Sequence, residues 1–272
     1  MSIDIATYLT PASRAYYDKV LAIITHLETA INSVKAEHQP GATSEKAGDE
    51  DWPDYIISQA KYPFAIYSRE TNDNHNNADI YIFGGFLRNI MEHHHSSARE
   101  FTPPKDVDIF IRFDELHVPT PSQTTWWQRF VPFFISTLSQ KYKVCKLPAK
   151  HNSYSDYDYC LTSLIVDDIK FDITSHINDF HGKCPRFEEL TDYTVNNLML
   201  DTSGKLQTRV KLDDYDLAIS LEHIRIRQLV FINNEKVYKW LIGMYNDEEC
   251  KAAYDEYMSA RKTKMLSYGY TF

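Results

Sequence analysis

The sequence predicts an α+β chain: a mixed sheet with flanking helices, followed by a helical C-terminal segment. Three observations carry this. A strand-like run, "ADIYIF", meets two adjacent glycines and then at once a helical pattern, "FLRNIMEHH". A second strand, "KDVDIFIRF", follows a loop. Further on, three strand-like stretches succeed one another with no helix between them. Helices and strands in that order suit a mixed sheet, not a doubly wound parallel one.

The elements follow in order. Residues 12–36 carry apolar positions at helical spacing. Residues 37–52, rich in Pro, Gly and charge, read as a mobile loop. "YPFAIYSRE" is a short strand or a helix end. After "ADIYIFGG" and its helix comes the loop "SSAREFTPP". In "KDVDIFIRF", Val107, Ile109 and Ile111 fall on one face and Asp106, Asp108 and Phe110 on the other. Residues 122–141 are helical and strongly aromatic, and Trp126, Trp127, Phe130 and Phe133 read as core or interface residues, with base stacking as the rival role. "YKVCKL", "YCLTSLIVDD" and "IKFDITSHI" are strands, the last two joined by a tight turn near Asp167 and Asp168. "TDYTVNNLML" offers Thr191 or Asp192 as a helix N-cap. From about residue 214 the chain reads as mostly helical. The expected organisation is an N-terminal helix and loop (1–53), a catalytic domain (54–212) and a helical C-terminal segment (213–272).

Composition narrows the function classes. The chain has 272 residues, 43% of them hydrophobic and 14% aromatic, enough for a sizeable core. No apolar run approaches the roughly 20 residues of a membrane span, and "MSIDIATYLT" lacks the pattern of a secretory signal. A soluble, cytoplasmic protein without a membrane partner is expected. Cys145, Cys160, Cys184 and Cys250 form no close pair, which argues against a zinc knuckle and for reduced, buried thiols. A net charge of −9 argues against sequence-independent coating of nucleic acid, although a local basic groove is compatible with it.

The residues then point to phosphate chemistry. Two aspartates at i and i+2 on a strand face the same way, about 7 Å apart. Such a pair can hold one or two hard cations, and magnesium favours a few carboxylates completed by phosphate oxygens. Asp172, between strand-like neighbours in "IKFDITSH", is the candidate third carboxylate. Gly84 and Gly85 permit a tight turn and close backbone approach to a ligand, and the helix after them would aim its free N–H groups at phosphate. Arg88 adds charge. Neither a Walker A loop nor a GxGxxG turn is present.

Taken together, "GGFLRN" and "PPKDVDIFI" resemble the head of the nucleotidyltransferase superfamily, whose fold is polymerase-β-like. The likeness is to the branch of class II CCA-adding tRNA nucleotidyltransferases and bacterial poly(A) polymerases, which carry GG-x-V-R-D followed by K-D-[IV]-D-[IL]. "LTDYTVNNLMLDTSGKL" is similar to that branch's R-R-D-F-[ST]-[IV]-N-A stretch and the G-x-[IL] after it. The resemblance covers roughly residues 78–210. It implies that Asp106 and Asp108 bind metal, that Gly84, Gly85 and Arg88 form the triphosphate turn, and that Asp192 and Asn196 contact the incoming nucleotide. Asp172 would help position or deprotonate the attacking hydroxyl. The implied cofactor is Mg2+ in a two-metal site, with Mn2+ as a substitute. The implied substrates are an NTP and an RNA 3′ end.

The departures are specific. Asn89 stands where the family has Asp, and Leu190 and Thr191 where it has two arginines; Lys183 or Arg186 would have to substitute. His93, His94 and His95 read as surface loop. Glu222, Arg225 and Arg227 fall near the family's base-selecting helix, but Arg225 and Arg227 would lie on different faces, so an ordinary solvated helix is the equal alternative. Full enzymes of the branch carry further helical domains that grip RNA, so a short acceptor, a partner protein, a homo-oligomer or a different grip is implied. Two rivals follow: the same chemistry on a small nucleotide or a protein side chain, and a degenerate head that binds without turnover.

Overall fold

The computed structural model describes residues 2–36, 78–96, 100–113, 123–147, 159–176, 191–210, 215–232 and 247–272. The expected α+β class holds, with a mixed sheet. Among the described residues there are eight strands and five α-helices. The chain packs as two units: Met1–Asp18, Tyr81–Ile109 and His181–Phe272 in the first, Lys19–Ile80 and Phe110–Phe180 in the second. The helical tail expected from residue 213 therefore shares a unit with the strand–GG–helix stretch. "YPFAIYSRE", Lys183, Arg186 and Leu190 lie outside the described residues.

The strands are β1 (Ile3–Asp4), β2 (Ala78–Phe83), β3 (Val107–Phe113), β4 (Val144–Lys146), β5 (Tyr159–Val166), β6 (Ile169–His176), β7 (Leu198–Asp201) and β8 (Lys205–Thr208). The helices are α1 (Pro11–Ala36), α2 (Gly85–His95), α3 (Gln123–Ser139), α4 (Leu217–Ile226) and α5 (Asp247–Ser267).

In the first unit the strand order is β1-β8-β7-β2-β3. β7 and β8 form an antiparallel hairpin, with Leu200 opposite Leu206. β2 runs antiparallel to β7, with Phe83 opposite Met199. The buried Asn197 closes the open end of that hairpin by copying a peptide group: it accepts from Val210 N at 2.6 Å and donates to Val210 O at 3.2 Å. α2 buries Phe86, Leu87, Ile90 and Met91, the i, i+1, i+4, i+5 spacing of one helical face. Asp216 caps α4 by accepting from Ile219 N at 2.9 Å.

Several expectations are corrected here. "TDYTVNNLML" is not a helix capped by Thr191 or Asp192. It is a three-residue 3-10 turn, Thr194–Asn196, running into β7. Leu198, Met199 and Leu200 find a partner strand in β8, and that pairing overrides the local helical reading. The histidine triplet is not loop but the last turn of α2. His93 Nδ1 lies 3.0 Å from Thr10 Oγ1, and its ring packs edge-on to Phe101. The thiol of Cys145, on β4, is exposed, not buried.

The second unit contains β3-β6-β5-β4 in that order, β3 running through both units. β5 and β6 pair in full register from Tyr159↔His176 to Val166↔Ile169. Their two-residue turn is Asp167 (φ 45°) and Asp168 (φ 70°), the positive-φ pair that suits the twist of a hairpin. Lys143 N donates to Asp167 Oδ1 at 2.9 Å and Lys19 Nζ to Asp167 O at 2.9 Å. Asp168→Gly is expected to raise stability by about 0.5–1 kcal/mol, because the left-handed region penalises a Cβ more than glycine's extra chain entropy does. The urea midpoint reads this. On α1, Val20, Ile23, Ile24, Leu27 and Ile31 are buried, the helical spacing seen in the sequence. Phe134 and Leu138 of α3 are buried, and Phe133 is half-buried; the side chains of Trp126, Trp127 and Phe130 lie outside the described set. Among the described residues no helix is long and apolar enough to cross a membrane.

Candidate active site

The site builds from the turn at Gly84. There φ is 72° and ψ −138°, a backbone shape that side chains disfavour strongly. The reason for glycine is also steric. A Cβ at Gly84 would lie 2.6 Å from Asp108 Oδ2, so the carboxylate of β3 sits directly against the glycine backbone. Gly85 differs: a Cβ there would meet only Arg88 Nη2, at an ordinary 3.7 Å. The fold requires the first glycine and leaves the second open. α2 starts at once, with Arg88 N donating to Gly84 O at 3.4 Å.

Asp106 immediately precedes β3, and Asp108 lies within it. Their alternation partners Val107, Ile109 and Ile111 are all buried, as expected. Burial, and then the negative charge of Asp106, raise the Tyr16 hydroxyl pKa above its ordinary value. Tyr16 packs against Phe86 and Phe101. Two carboxylates of this kind suit magnesium, which takes one or two from protein and completes its shell with water and phosphate oxygens. Among the described residues no group of three or more His, Cys, Asp or Glu side chains could hold a metal ion alone.

Arg88, Asn196 and Asp192 are brought together. Arg88 is 8% exposed and Asn196 6%. Arg88 Nη1 donates to Asn196 Oδ1. Asn196 Nδ2 donates to Asp192 Oδ1 at 2.8 Å, and Tyr193 N donates to the same oxygen at 2.9 Å. The other oxygen, Oδ2, accepts from Arg261 Nε at 2.6 Å. Burial alone would push the Asp192 carboxyl up. The Arg261 charge and hydrogen bond, with the Asn196 and backbone donors, outweigh burial and hold it below the usual carboxylate range. Burial acts to lower the Arg261 pKa, but Asp192, Tyr257 and more weakly Asp108 hold it above its ordinary value.

The far side of Arg88 is also held. Its Nε stands 3.5 Å from Glu92 Oε1, and its guanidinium lies over the Tyr268 ring, 5.3 Å from the centroid. Glu92 Oε1 also accepts from Tyr270 Oη at 2.6 Å. Arg227, the left-handed C-cap of α4, donates to Tyr268 O at 3.0 Å and lies 3.9 Å from Glu92. Arg225 instead pairs with Glu222 on an exposed face, the ordinary solvated arrangement. Asn89 Oδ1 is buried and has no hydrogen-bond partner among the described residues.

Sequence reasoning missed Arg261, Glu92, Tyr268 and Tyr270. Arg261 lies in "SARKTK" at a distance of 69 residues from its carboxylate partner, with no local motif to mark it. Asp172 belongs to the second unit. It faces Ser163 across the β5–β6 ladder, and its two oxygens accept from Ser163 Oγ and Lys170 Nζ at 2.5 Å each.

Compared with protein-family models and with curated proteins, the sequence matches none.

Proposed function

We propose that the chain is a metal-dependent nucleotidyltransferase that moves a nucleoside monophosphate from an NTP to the hydroxyl of an RNA 3′ end. The observation that carries this reading is the Asp108 carboxylate set against Gly84 at the start of α2. It puts a strand carboxylate at the N-terminus of the helix that carries Arg88, and a metal-bound triphosphate is served by a carboxylate for the metal and N–H groups for the phosphates. The resemblance of the GG, DxD and TDYTVNN stretches supports the same reading.

In the reaction the acceptor oxygen bonds to the α-phosphorus while the bond from that phosphorus to the β-phosphate's bridging oxygen breaks. Pyrophosphate leaves, and the hydroxyl proton passes to a base. Asp106 and Asp108 would hold magnesium, which would supply positive charge to stabilise the negative charge developing in the transition state. The α2 N–H groups and Arg88 orient the triphosphate, and Asp192 and Asn196 hold the nucleotide side. Asp172 takes the role of base on the resemblance alone. Asp172→Asn is expected to lower transfer by about 10²–10⁴-fold, read as the initial rate. A loss below about threefold would make the Ser163–Asp172–Lys170 cluster a structural one.

The test is to incubate the protein with magnesium and each labelled NTP, with and without RNA. Label entering RNA establishes the reading, and the preferred NTP names the base. The net charge of −9 favours a second reading, with a small nucleotide or a protein as acceptor; label in a small product or on protein would establish that instead. Magnesium-dependent NTP binding without transfer would mark a binding module.

A further inference from the structure

We infer that Arg261, on α5, is a positioning residue of this site: it holds Asp192 and, through Asp192 and Asn196, sets where Arg88 stands. The ligand it serves, an NTP with its magnesium, rests on the proposed function. The positioning itself rests on side-chain geometry.

The four side chains form one line of alternating polarity: guanidinium, amide, carboxylate, guanidinium. Each link fixes the next. Arg88 presents only donors, so it takes the carboxamide oxygen of Asn196. That leaves the Asn196 amide nitrogen for Asp192 Oδ1, which it meets at 2.8 Å. Asp192 Oδ2 then faces Arg261 Nε at 2.6 Å. The Asp192 side chain is only 9% exposed and that of Arg261 30%, so the guanidinium both partners the carboxylate and covers it from solvent. Without Arg261 a buried carboxylate would be left without its cation, and such a group turns away or takes a proton. Either change withdraws the acceptor that orients the Asn196 amide. Arg88 would keep Glu92 and the Tyr268 ring, so it would stay near α2 but lose its direction. Two basic residues far apart in the chain thus act as one unit on the nucleotide side.

Binding of each of the four NTPs with magnesium is measured for the parent, Arg261→Met, Arg88→Met and the double variant. Arg261→Met is expected to weaken binding by about tenfold or more, and the double variant to be no more than about twofold weaker than Arg88→Met alone, since residues acting through one chain of contacts are not additive. Arg261→Lys is expected to recover part of the loss, because it keeps the charge but not the fork. Penalties that multiply independently, or an Arg261→Met variant within about twofold of the parent, would overturn the inference. If Arg261→Met does not fold, Arg261→Gln, whose amide can still donate to Asp192, replaces it in the cycle. If the parent binds none of the NTPs, the nucleotidyltransferase reading fails by itself. The urea midpoints of the same proteins then decide the positioning: non-additive midpoints uphold it and additive ones refute it.

Discussion

Asp106→Ala/Asp108→Ala is expected to abolish label transfer, by about 10³-fold or more, in a protein that still folds. The size follows from the task assigned to the pair. Removing one well-placed electrostatic stabiliser of a transition state costs about 10²–10³-fold, and here both carboxylates that would hold the metal are removed at once. Folding should survive because neither residue belongs to the packed core. The core of β3 is made by Val107, Ile109 and Ile111, which the variant leaves in place. A melting temperature within about 3 °C of the parent, with transfer lost, is the expected pair of results. Transfer retained at a tenth of the parent rate would remove the DxD pair from the mechanism.

Gly84→Ala should destabilise the protein by about 3 kcal/mol. Two contributions add. The backbone at φ 72° and ψ −138° penalises any Cβ by about 1–3 kcal/mol, and that Cβ would stand 2.6 Å from Asp108 Oδ2, so the Asp108 side chain must turn out of its rotamer to clear it, for about 0.5–1.5 kcal/mol more. Gly85→Ala is the control. Its Cβ meets nothing closer than Arg88 Nη2 at 3.7 Å and its position opens a helix, so the shift should stay within about 0.5 kcal/mol. Asp108→Ala added to Gly84→Ala should recover the steric part and leave the backbone part, which urea titration of the single and double variants can separate. Equal destabilisation by Gly84→Ala and Gly85→Ala would refute the steric account. A stable Gly85→Ala variant with weakened NTP binding would show that the second glycine serves the ligand.

The site was readable in the sequence wherever its parts are local. The alternation of "KDVDIFIRF" places Asp106 and Asp108 correctly relative to the buried Val107, Ile109 and Ile111. The strand–GG–helix succession, the tight turn at Asp167 and Asp168, and the helices near residues 12–36 and 122–141 are also where spacing put them. What failed was reading segments whose conformation depends on a distant partner. "LMLD" becomes a strand because β8 lies beside it, and the histidine triplet stays helical while His93 is held by Thr10, 83 residues away. The two glycines look equivalent in the string. They differ because Asp108, on another strand, leans on one of them.

Local spacing by itself determined the α+β class, the order of the elements and the setting of Asp106 and Asp108 off the buried face of their strand, since each depends on residues a few positions apart. Tertiary structure alone decided which side chains meet there and which others join them. Arg88 meets Asn196 across 108 residues, Arg261 meets Asp192 across 69, and Tyr270 meets Glu92 across 178. No periodicity records such pairings. They exist because a buried charge or amide must find a partner when the chain closes, and the partner can come from anywhere the fold brings near.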